Sequence, residues 1–182
     1  MNPVQLITPR LFGDARGWFN EVYSVPAFAK LGIACTFVQD NHSLSVPAYT
    51  LRGLHFQAQP RGQDKLVRCV RGRIFKVAVD VRRGSPTWGQ WVGAELSAEN
   101  EHQLFIPIGF VTLEPDCEVT SKCSDTYAPE ADGGIRWDSP GIDWPMPAGA
   151  TPELSAKDQV QPALADFDSP FVYDGHPLEP VA

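Results

Sequence analysis

Histidine and cysteine are scarce in this chain, and neither is clustered. The four histidines, His42, His55, His102 and His176, are widely spaced with no His-x-His pair. The grouped imidazoles of a histidine-rich metal site are therefore missing, and no metal is expected. Cys35, Cys69, Cys117 and Cys123 contain no CxxC spacing. They read as buried reduced thiols, in keeping with a reducing, cytoplasmic compartment. No apolar run approaches the ~18 residues that span a bilayer, and no basic segment leads into an apolar stretch at the N-terminus, so neither a membrane association nor a leader is expected. Positive charge is short as well: Lys and Arg number 15 against 22 Asp and Glu, a net charge of −7. That balance argues against a nucleic-acid partner, and an anionic ligand has to be held by a local basic cluster.

What the chain has in quantity is punctuation. Its 15 glycines and 17 prolines are spread along the whole length of 182 residues, which predicts many short strands joined by turns and one domain with a sizeable core. Met1 to Pro9 is expected as a first strand. A Gly-punctuated turn at Gly13-Asp14-Ala15-Arg16-Gly17 then leads into a strand from Phe19 to Tyr23. These N-terminal residues, 1–23, form an arm. Ser24 to Leu31 is predicted as a short helix, with Ser24 able to cap it, Pro26 in its first turn and Gly32 ending it. In Phe37-Val38-Gln39-Asp40-Asn41-His42-Ser43, strand parity puts Gln39 and Asn41 on one face and His42 on the other. His42 therefore reads as structural.

Two strands carry the chemistry. Leu51-Arg52-Gly53-Leu54-His55-Phe56-Gln57 reads as one strand, and Gln63-Asp64-Lys65-Leu66-Val67-Arg68 as the next, with a Pro/Gly turn between them. Both are apolar yet hold an imidazole, guanidiniums and an ammonium. Burying such groups without a partner costs several kcal/mol, so they point to a pocket that holds a strongly negative ligand beside a histidine base. Ile74 to Val81 is a further strand, with Phe75, Val77, Val79 and Val81 on one face and Ile74, Lys76, Ala78 and Asp80 on the other. Strands are also expected at Trp91 to Leu96, Gln103 to Pro107 and Glu118 to Tyr127. Residues 137–182 form a Pro- and Asp-rich extension packing on the barrel, loosely held from Ser169 onward.

The run Arg52-Gly53-Leu54-His55-Phe56-Gln57 followed by Lys65-Leu66-Val67-Arg68 resembles the dTDP-4-dehydrorhamnose 3,5-epimerase family of cupin-type sugar-nucleotide epimerases. Asp14-Ala15-Arg16-Gly17-Trp18-Phe19-Asn20-Glu21, Gln39-Asp40-Asn41-His42-Ser43 and Leu154-Ser155-Ala156-Lys157-Asp158 match its other motifs in order. The resemblance implies a mostly β, jelly-roll barrel or sandwich with short helical segments near either end, a homodimer, and a nucleotide-diphosphate sugar as ligand. It implies epimerisation of a 4-keto-6-deoxy sugar at C3 and/or C5 without a cofactor. His55 would be the base, Asp158 its carboxylate partner and Lys65 the enolate stabiliser. Arg16, Phe19, Glu21, Gln39, Asn41, Arg52 and Tyr127 would form the binding shell, with Arg16 and Phe19 reaching across the dimer, and Arg68 is a second candidate for phosphate.

Three departures fall on the chemistry. The family reads Ile-Pro-x-Gly-Phe-Ala-His-Gly-Phe, whereas Ile106-Pro107-Ile108-Gly109-Phe110 runs straight into Val111-Thr112-Leu113, without the second pocket histidine. Four residues is an even number, so strand parity survives the loss. Ser121 stands where the family has its proton-donating tyrosine, a role for which Tyr127 is a conceivable substitute. Lys76 replaces a family aspartate and is expected to be solvated or salt-bridged, the sharper option being an amine of lowered pKa. Slow or single-centre epimerisation is the expectation, the alternative being a non-epimerising sugar-nucleotide binder or a barrel repurposed around Lys76.

Overall fold

The computed structural model describes residues 3–107 and 109–181. Its described strands are β1 (Gln5–Ile7), β2 (Phe12–Asp14), β3 (Gly17–Phe19), β4 (Gln39–Ser45), β5 (Leu51–Arg52), β6 (His55–Gln57), β7 (Lys65–Arg71), β8 (Arg73–Val79), β9 (Trp91–Ser97), β10 (Gln103–Ile106), β11 (Phe110–Thr112), β12 (Cys117–Cys123) and β13 (Asp132–Gly134). Two short α-helices, α1 (Val25–Lys30) and α2 (Ala156–Gln159), lie before β4 and after β13. A five-stranded antiparallel sheet, β1-β10-β7-β12-β4, faces a four-stranded one, β5-β11-β8-β9; β6 and β13 form a separate ribbon. This is the mostly β, jelly-roll arrangement expected.

Alternation along the strands explains the layers. Val67, Cys69, Leu104 and Val119 of the larger sheet meet Ile74, Leu96 and Phe110 of the smaller one in a single inner cluster. Each such side chain contributes ~1.5–3 kcal/mol of burial. The neighbours of opposite parity, Leu66 and Phe105, point outward and are covered by Phe28 of α1 and Ile33. On the outer face of the smaller sheet, Val77 and Val111 are covered by Ile135, which follows β13, and by Ile142 and Trp144 of the C-terminal extension.

Several expectations are corrected. The first strand is confined to Gln5–Ile7, and Met1 and Asn2 lie outside the described residues. The arm's strand stops at Phe19, because the following residues leave the hairpin and Tyr23 packs its ring against Phe28 and Phe37 instead. Ser24 precedes α1, but its hydroxyl donates to Glu21 at 2.7 Å and accepts from no amide of the helix. The stretch from Leu51 to Gln57 is not one strand. It breaks after Arg52, where Gly53 adopts φ +149° and β6 swings away to pair with β13. The tail is not loose: Ser169 and Phe171 are buried. The hydroxyl of Ser169 donates to the Val81 carbonyl, and Arg82 pairs with Asp174 at 2.8 Å.

The break at Gly53 is where β5 meets the residue preceding β11. A Cβ on Gly53 would lie 2.6 Å from the Gly109 Cα, a backbone contact that no side-chain rotation relieves. Gly53→Ala is therefore expected to destabilise the fold by about 2–4 kcal/mol, read as a lowered urea midpoint with an unchanged slope.

Candidate active site

The break after Arg52 places His55 on β6 at the wall of a cavity of about 380 Å³ enclosed by the two sheets. Lys65, the first residue of β7, enters it from the larger sheet, and Lys76 enters from the middle of β8. Arg52, Asn41 and Ser121 line the same space. No three His, Cys, Asp or Glu side chains among the described residues converge as a metal-binding set.

His55 Nε2 donates to Asp158 Oδ1 in a short hydrogen bond. Asp158 is 2% exposed, and it is held from both sides. Ser155 caps α2, accepting from the Asp158 amide at 3.2 Å and donating to Asp158 Oδ2 at 2.8 Å. With the proton fixed on Nε2, Nδ1 is the unprotonated ring nitrogen. Burial pushes the pKa of His55 below its ordinary value, and the charge of Asp158 offsets only part of that. The imidazole is thus neutral at pH 7, with the Nδ1 lone pair available to accept a proton.

Lys65 is also held below its usual pKa by burial. Lys76 differs most from expectation. It is 6% exposed, and among the described residues its ammonium has neither an ion-pair nor a hydrogen-bond partner, lying 5.6 Å from the centre of the Phe110 ring. It is neither solvated nor salt-bridged: parity turns it inward with Ile74, Ala78 and Asp80, which are all buried. Burial first, and the charge of Lys65 second, push its pKa down to about 7.

The binding shell is only partly assembled. Asn41 reaches the cavity and accepts from Gln39 Nε2 at 2.9 Å, so the two amides share a face as predicted. His42 points away and bonds Glu118 at 2.9 Å. Arg52 is anchored by the Ser45 hydroxyl and the Leu44 carbonyl, both at 3.1 Å. Arg68 is not free for phosphate, because its guanidinium is paired with the buried Glu101 at 2.7 Å. Arg16 and Phe19 lie on the exposed β2–β3 hairpin, with Arg16 bound to Asp14 and Phe19 69% exposed. Glu21 accepts from Ser24 outside the cavity. Tyr127 is exposed, and its hydroxyl donates to Asp132 Oδ2 at 3.1 Å; it does not occupy the donor position left by Ser121. Sequence reasoning missed Ser155 as a clamp on the Asp158 carboxylate and Asp132 as an acceptor shared by Tyr127 and Lys157. Only the capping spacing hinted at the first. Ile108 lies outside the described residues.

A lysine whose folded pKa lies below its unfolded value penalises the fold fully below the folded pKa, and the penalty fades as pH rises toward the unfolded one. Lys76→Met is therefore expected to stabilise the protein by about 2–4 kcal/mol at pH 6. The gain should shrink between pH 7 and pH 10, as measured by urea denaturation of both proteins across that range.

Comparison with known proteins matches residues 1–166 to the family model for dTDP-4-dehydrorhamnose 3,5-epimerase. The enzyme of that name from Sinorhizobium fredii is 50% identical over 176 residues, covering 93% of this chain and 89% of its own. The crystal structure of dTDP-6-deoxy-D-glucose-3,5-epimerase from Legionella pneumophila, in complex with dTDP-4-keto-L-rhamnose, superposes with a TM-score of 0.87 at 42% identity, covering 93% of each chain. The dTDP-4-dehydrorhamnose 3,5-epimerase of Bacillus anthracis, with TDP and pyrophosphate bound, gives a TM-score of 0.83 at 44% identity, covering 87% of this chain and 92% of that one. With a match over most of its length and an imidazole–carboxylate pair set in the same fold, this chain belongs to the dTDP-4-dehydrorhamnose 3,5-epimerase family.

Proposed function

We propose that the protein epimerises a nucleotide-linked 4-keto-6-deoxy sugar, with dTDP as the carrier, at C3, C5 or both. The observation that carries this reading is the His55–Asp158 pair at the wall of a cavity that also holds Lys65. A C–H bond beside a ketone is acidic because its electron pair delocalises onto the carbonyl oxygen. Nδ1 of His55 takes that proton, Asp158 stabilises the imidazolium that forms, and the Lys65 ammonium faces the enolate oxygen. Arg52 and Asn41 supply polar groups for the nucleotide diphosphate. Family membership disfavours the alternatives, a non-epimerising sugar-nucleotide binder or a barrel repurposed around Lys76.

The described chain leaves Arg16 and Phe19 exposed beside Phe12 and Trp18, which are themselves 51% and 52% exposed. An apolar hairpin of this kind suits a homodimer in which the arm of one subunit completes the binding shell of the other. The four free thiols, three of them buried, suit a cytoplasmic protein folding as one domain.

Incubated with dTDP-4-keto-6-deoxyglucose in D₂O, the protein should place deuterium at C3 or C5 in an NMR-detectable reaction that His55→Asn abolishes; absence of exchange in the unsubstituted protein would sink the reading. Asp158→Asn should lower kcat/KM by roughly 10²–10⁴-fold. It should also move the acidic limb of the pH profile to lower pH, because the carboxylate that raises the pKa of His55 is gone. Sedimentation equilibrium should return twice the 20.0 kDa chain mass, and Phe19→Asp should shift the species toward monomer.

A further inference from the structure

Inverting a carbon centre requires that the proton removed from one side of the ring be returned on the other. The family's tyrosine does not stand in this chain. Ser121 takes its place, with a hydroxyl too short and too weakly acidic to serve, and the Tyr127 hydroxyl is engaged with Asp132 outside the cavity. Lys76 is buried in the cavity, has no ion-pair or hydrogen-bond partner among the described residues, and comes from a different wall than the base. His55 stands on the β6–β13 ribbon, whereas Lys76 stands on β8, flanked by Phe110 of β11 and Ala94 of β9. Lys65 enters from the facing sheet.

We propose that Lys76 is the second proton-transfer group, delivering a proton to the sugar carbon from the side away from His55. The inference rests on the epimerase reading above. His55 Nδ1 takes the C–H proton, and the bonding pair becomes the enolate. An N–H of the Lys76 ammonium then passes its proton to the same carbon, the enolate pair forms the new C–H bond, and the ketone returns. Lys76 is left as a neutral amine and His55 as imidazolium, and exchange with water resets both. The fit is electrostatic. Burial and the charge of Lys65 disfavour an ammonium at Lys76, but an enolate in the cavity supplies a counter-charge, so Lys76 is held protonated while the enolate exists and released from its proton as that charge vanishes.

The test follows deuterium and configuration together, with dTDP-4-keto-6-deoxyglucose in D₂O and the product sugars resolved by NMR. Lys76→Met should still wash deuterium into the substrate faster than it inverts the centre, because His55 removes and returns the proton on one side even where loss of the ammonium slows enolate formation. Inversion should fall by roughly 10²–10⁴-fold. Circular dichroism and dTDP binding confirm that the variant is folded. Inversion at the unsubstituted rate in Lys76→Met overturns the proposal. So does a borohydride-trapped sugar adduct on Lys76, which would make the amine a covalent nucleophile. An unsubstituted protein that binds dTDP but exchanges no deuterium overturns the epimerase reading itself, an outcome distinct from either of these.

Discussion

The contact on which the chemistry depends is a hydrogen bond between residues 103 positions apart, His55 on β6 and Asp158 in α2. An imidazole at a cavity wall has two tautomers and a free ring torsion, and neither is a reliable base until something fixes both. A buried carboxylate does so, but a buried carboxylate is itself costly unless its oxygens are satisfied. Here Ser155 meets one oxygen and His55 the other. The four-residue helix α2 therefore serves the site more than the core, and the C-terminal extension that packs Ile142 and Trp144 against the smaller sheet fixes where that helix sits.

The same economy governs the cavity's charges. Arg68 is neutralised by Glu101, and Asp80 is surrounded by Arg82, Ser85 and Thr87. Lys65 and Lys76 have no ion-pair partner of this kind among the described residues. Two amines close enough for the charge of one to act on the other raise the positive potential inside the cavity that His55 also lines. A neutral ligand gains little from such a site; a ligand that becomes negative during its reaction gains most.

Much of this was legible in the sequence, because it depended on period-two alternation. The parity of Ile74 to Asp80 put Lys76 with Ile74 and Ala78, and that of Gln39 to Ser43 separated Asn41 from His42. What alternation does not report is which face meets the interior and what else is there. Lys76 was assigned to its correct companions but expected in solvent or in an ion pair, since the absence of a counter-ion is a property of the surrounding strands. The break at Gly53 was hidden for a similar reason. Leu51 to Gln57 has a strand's composition throughout, and the close approach of Gly109 that requires a glycine comes from a residue 56 positions later. Arg68 and Tyr127 lost their expected roles to Glu101 and Asp132, partners that their own sequence neighbourhoods do not reveal.

The three departures from the family pattern are separated in sequence yet adjacent in space. Phe110, which ends the shortened Ile106–Phe110 connection, pairs directly with Lys76 across β11 and β8, and Ser121 lines the same cavity. Around them β11 bonds β5 on one side and β8 on the other, a pairing that an even-numbered loss permits. The His55–Asp158 pair and the Ser155 clamp lie on β6 and α2, while the departures lie on β8, β12 and the connection into β11. That placement fits the proposed exchange of one proton-handling group for another, because the Lys76 amine enters from β8 the same cavity that His55 lines from β6.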